Sequence, residues 1–63
     1  MNATTGKKVA ALIESLLITD YCFQKNLDSQ DLEACLLMKK RYNNIVKQLR
    51  AFNISIAEKA ATF

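Results

Sequence analysis

Sixty-three residues, 51% of them hydrophobic, make one domain spanning 1–63, near the lower size limit for a chain that folds alone. One glycine and no proline argue against strands and hairpin loops, and the hydrophobic content argues against disorder. Nine Lys and Arg against six Asp and Glu leave a charge of +3, short of the dense basic patch that marks a dedicated nucleic-acid binder.

The first predicted helix starts near Thr4 or Thr5, either of which can act as N-cap, and runs through Lys25. At about 100° per residue, Val9, Leu12, Ile13, Leu16, Leu17, Phe23 and Leu27 share one broad face. Lys7, Lys8, Glu14, Ser15 and Lys25 lie opposite. A break follows at Asn26-Leu27-Asp28-Ser29. Asp28 or Ser29 caps the next helix, and Asp31 and Glu33 place negative charge in its first turn, where the helix dipole favours it. A short polar connection of this kind makes its two helices antiparallel neighbours.

The second helix carries the cleanest pattern. Cys35, Met38, Tyr42, Ile45, Leu49, Phe52 and Ile56 recur at alternating spacings of three and four, an a/d seam of the coiled-packing kind, which Val46 widens. Lys39, Lys40, Asn43, Lys47 and Arg50 occupy the other side. Ser55 followed by Glu58 matches a capping box, which gives a bend at Asn53 and a last short helix to Ala61. The other possibility is a second helix that continues straight through Asn53, and the place of Ile56 in the seam favours it. The expected fold is all-α: an antiparallel helical hairpin, with or without a short C-terminal helical extension, that completes a helical bundle by association. One core this small rarely supplies more than ~3–5 kcal/mol without disulfides, metal or self-association.

No residue set suggests catalysis. There is no His to act as a base near neutral pH, no metal-ligand cluster and no phosphate loop. Gly6-Lys7-Lys8 lacks both the first Gly and the Ser or Thr that a P-loop needs. No catalytic residue, cofactor, metal or small-molecule substrate is expected. Lys7 and Lys8 precede an apolar stretch, but Glu14 interrupts it without a cleavage pattern, and it is too short to span a bilayer. The expected compartment is the reducing cytoplasm, with Cys22 and Cys35 as free thiols.

Asp20 is the oddest residue of the first helix, because it lies among Ile13, Leu16, Leu17 and Phe23. A carboxylate there needs a partner or a proton unless it reaches water at the rim of the apolar face. Folding the hairpin at its polar turn sets Leu12 level with Ile45, Leu16 with Tyr42, and Asp20 one turn from Arg41 and Tyr42. Asp20 paired with Arg41 or with the Tyr42 hydroxyl would set register, as polar seam residues do. Ile18, Leu32, Leu36 and Leu37 face away from the seam. Apolar residues on outer faces of both helices imply burial against an oligomer or a larger partner.

The expected function is therefore protein–protein interaction, as an adaptor, inhibitor, assembly factor or small co-chaperone. Its contact set is Leu16, Phe23, Tyr42, Ile45, Leu49, Phe52 and Ile56, docked on another protein or on a second copy. Two amphipathic helices, a polar turn and an apolar second helix resemble the short hairpin co-chaperones that hold needle subunits in bacterial type III secretion. The alternative is a nucleic-acid-binding regulator. In length and hairpin design the chain is also similar to the Rop-like dimeric four-helix bundles that bind paired RNA. In that reading Lys39, Lys40, Lys47 and Arg50 form the contact stripe, each phosphate contact gaining affinity by counterion release.

Overall fold

The structure, a computed structural model, describes residues 3–60. It holds two helices, α1 (Ala3–Asp28) and α2 (Leu32–Arg50), packed along each other as a helical hairpin. Among the described residues there is no strand. Both helices are all but free of breakers: Gly6 stands near the start of α1, where an added side chain would meet open space. Helix α1 is 26 residues long and begins by Ala3, so Thr4 and Thr5 lie inside it and not at its cap. It also runs past Lys25 to Asp28, one turn further than the polar residues Asn26 and Asp28 suggest.

The turn is built from backbone hydrogen bonds. Asp31 N–H donates to the Asn26 carbonyl at 2.9 Å and Gln30 N–H to the Leu27 carbonyl at 3.0 Å, which is the Schellman closure of a helix end. Gln30 takes the left-handed conformation that this closure requires, with φ 59°. Asp31 then starts α2: its carboxylate accepts from Ala34 N–H at 3.2 Å. The cap is therefore Asp31 and not Asp28 or Ser29, because the Schellman turn spends Ser29 and Gln30 on closing α1. Glu33 remains in the first turn of α2, favourably placed against the helix dipole.

The same closure ends α2. Asn53 N–H donates to Arg50 and Ile54 N–H to Leu49, at 2.9 and 3.2 Å, with Asn53 at φ 62°. Asn accepts the left-handed conformation more readily than most residues, and Ile54 packs back on the core beside Leu49, the hydrophobic contact that goes with this motif. Residues 54–60 carry no helix. Helix α2 thus does not continue to Ile56, and Ser55–Glu58 does not cap a further helix; the part of that expected helix at Ala61 lies outside the described residues. The chain instead turns back along the hairpin as a tail.

The core is small and sits between the helices. Leu16, Val46 and Leu49 form its centre, with Val9, Leu12, Tyr42, Ile45, Ile54 and Ile56 against it. The expected Leu12–Ile45 and Leu16–Tyr42 levels fall within this one cluster. Towards the turn, Phe23 and Cys35 are buried, and the Cys35 thiol lies 3.9 Å from the Phe23 carbonyl. Both cysteines are free. Two helices alone can cover only a narrow stripe of each other. Leu17, Ile13 and Leu27, expected on the inner face, are accordingly exposed, while Thr19 is buried.

Candidate functional site

The residues expected to meet a partner are mostly engaged inside the hairpin. Leu16, Phe23 and Leu49 are buried, and Tyr42, Ile45 and Ile56 pack against the central cluster. Apart from Ile56, which the tail supplies, they lie on α1 and α2 and face the inside of the hairpin. Phe52 is the exception: half-buried, it lines an open groove of about 500 Å³ together with Leu12, Ser15 and Gln48.

The best-built polar site is formed by the tail. The Lys59 ammonium lies 2.8 Å from an Asp20 carboxylate oxygen and 4.5 Å from the ring centroids of both Phe23 and Tyr42. Its backbone is held as well. Asn43 donates its side-chain N–H to the Lys59 carbonyl at 3.0 Å and accepts from Lys59 N–H at 2.8 Å. This amide imitates a strand neighbour for an extended segment. Further along, Arg50 pairs with Glu58 at 3.2 Å on the surface. Asp20 thus has the partner its position calls for, but the partner is Lys59 and not Arg41, which is exposed. The Tyr42 ring takes part through its face, towards the same ammonium.

Periodicity hides this arrangement, because Ile56 extends the spacing of α2 and makes a helix look continuous. A different signal is present. Ile54 and Ile56 alternate with Ser55 and Ala57, the period of an extended segment with one covered face. Ile54, Ile56 and Lys59 are indeed the partly covered residues of that stretch.

The basic stripe of α2 is broken up. Lys39 is only 7% exposed, so its ammonium is not displayed on an outer face. Arg50 is joined to Glu58. Lys40 and Lys47 remain exposed. The flank bearing Lys39, Asn43, Val46 and Arg50 is the one the tail lies on, and this moves the buried face of α2 away from the Met38–Phe52 side.

The hairpin also leaves large apolar side chains outside. On α1, Leu17, Ile18 and Tyr21 are 65, 56 and 63% exposed. On α2, Leu32, Leu36 and Leu37 are exposed, and Leu36 and Leu37 line a surface hollow with Asp31, Glu33 and Lys40. Among the described residues, no His, Cys, Asp and Glu group together as a metal site would require. No described helix is long and apolar enough to cross a membrane. Comparison with protein-family models, with curated proteins and with solved structures found no match.

Proposed function

We propose that this chain is a non-enzymatic interaction module, an adaptor, inhibitor, assembly factor or small co-chaperone, that docks the outer apolar faces of its hairpin on a helical surface. One observation carries the reading. Among the described residues, eight large hydrophobic side chains are exposed while five hydrophobic residues form the buried core. Single exposed leucines are ordinary; Leu32, Leu36 and Leu37 on one helix end and Leu17, Ile18 and Tyr21 on the other helix are contiguous sets, of the kind that mark contact surfaces. The hairpin's own core and tail are closed without them, so they are available to a partner. Helix faces of this sort are recognised by apolar anchors of another helix. A cytoplasmic setting fits the reading, since both thiols are free.

A photoreactive residue placed at Leu36 or at Leu17, with a control at Lys47, tests this in cells that make the protein. Discrete adducts from the two apolar positions and none from Lys47 are expected. Adducts absent or smeared at both apolar positions would refute the assignment.

A further inference from the structure

We infer that the partner of the α1 outer face is a second copy of this chain, bound antiparallel; this rests on the interaction reading above and names its occupant. Lys7, Ala11, Glu14, Ile18, Tyr21, Lys25 and Asp28 recur along α1 at spacings of four and three without a break. They form one stripe on the side of α1 turned away from α2, apolar at its middle and charged towards its ends. Every described member of it except Ile18 and Tyr21 is small or charged, and those two, with the flanking Leu17, are the most exposed large hydrophobics among the described residues.

The order of these residues suits self-pairing in one direction only. When two α1 helices lie antiparallel about a two-fold axis level with the midpoint between Ile18 and Tyr21, Ile18 of each copy meets Tyr21 of the other. Glu14 of each copy then meets Lys25 of the other, so two ion pairs close the ends of the apolar contact. A parallel arrangement sets Glu14 against Glu14 and Lys25 against Lys25, which opposes it. Complementary charges at such positions fix orientation and partner more than they add affinity, and a two-fold contact uses the same patch on both copies. The Lys25 ammonium already lies over the Tyr21 ring at 5.6 Å, at the edge of this patch and within reach of a facing carboxylate.

The test is the mass of the full chain by sedimentation equilibrium at rising concentration, for the native protein, Glu14→Lys, Lys25→Glu and the double exchange. Both positions are exposed, and circular dichroism checks that each variant keeps its helices. The native mass is expected to climb from 7.1 kDa towards twice that value. Either single exchange places like charges across the contact and weakens association at least tenfold. The double exchange restores it, because opposite charges then face each other again with their signs reversed. A native mass fixed at the monomer value overturns the proposal, and so does a double exchange that associates no better than the singles. If the monomer persists while the crosslinked positions still trap another protein, the interaction reading stands and the second copy is ruled out.

Discussion

Replacing Lys59 by alanine asks how much of the tail's docking rests on one ammonium group. The ion pair to Asp20 is discounted, because that carboxylate is 44% exposed; it contributes about 0.5 kcal/mol. The contacts with the Phe23 and Tyr42 rings contribute about 0.5 kcal/mol each at a site still open to water. The covered part of the side-chain stem, cut back to alanine, is worth about 1.5 kcal/mol. Against that sum, freeing a long side chain returns about 1.5 kcal/mol of conformational entropy. The net expected loss is about 1.5 kcal/mol, a fall in Tm of roughly 6–12 °C for a chain of this size. Lys59→Arg keeps charge and ring contact and should cost less than about 0.5 kcal/mol, and Asp20→Asn should cost about 0.5 kcal/mol. Thermal melts followed by far-ultraviolet circular dichroism give all three values. If Lys59→Ala melts with the native protein, or if Asp20→Asn costs as much as Lys59→Ala, the account of the tail is wrong.

Three further outcomes follow from the backbone and the core. Gln30→Gly removes a side chain from a left-handed position, where an L-residue costs roughly 1–2 kcal/mol, at the expense of a more flexible unfolded chain; the denaturant midpoint should rise, by up to about 1 kcal/mol in stability. Asp31→Ala should lose about 1 kcal/mol with the α2 cap, and Asp31→Asn should keep most of it, both read from the same denaturation curves. Leu49→Ala empties a fully buried position and should cost about 2–5 kcal/mol, comparable with the whole stability available to so small a core; a well-folded, cooperative Leu49→Ala melt near the native Tm would contradict the assigned core.

Much of this fold is legible in the residues. Without proline, and with one glycine near its start, the chain has few places to break, and the polar run from Asn26 to Asp31 is the one that separates two apolar periods. The exact turn is harder to read, because Gln30 in a left-handed conformation is an uncommon choice that only the pattern of closing hydrogen bonds reveals. Asp20 announces its need for a partner from its place among apolar residues. The identity of that partner does not show, since Lys59 reaches it only when Asn53 ends α2 and the tail doubles back. Two periods compete over Ile54 and Ile56, helical from the seam and extended from their alternation. The extended one prevails because the Asn43 amide and the Asp20, Phe23 and Tyr42 groups give the tail a track to lie on. The inner and outer faces are the remaining difficulty: a single helix partner covers less of α1 than its broad apolar face offers, so Leu17 and Ile13 end outside while Leu16 and Phe23 end inside.

The central claim is that the outer leucine and isoleucine faces are spare to the fold and serve a partner. Its most direct test is the melting of a variant with Leu17, Ile18, Leu36 and Leu37 all changed to glutamine, compared with the native chain at high dilution. The variant is expected to stay helical and to melt within a few degrees of the native protein, while a photoreactive residue at the unchanged, exposed Tyr21 or Leu32 yields adducts in the native background and none in the variant. A variant that unfolds as Leu49→Ala does would contradict it, because those side chains would then belong to the hairpin itself.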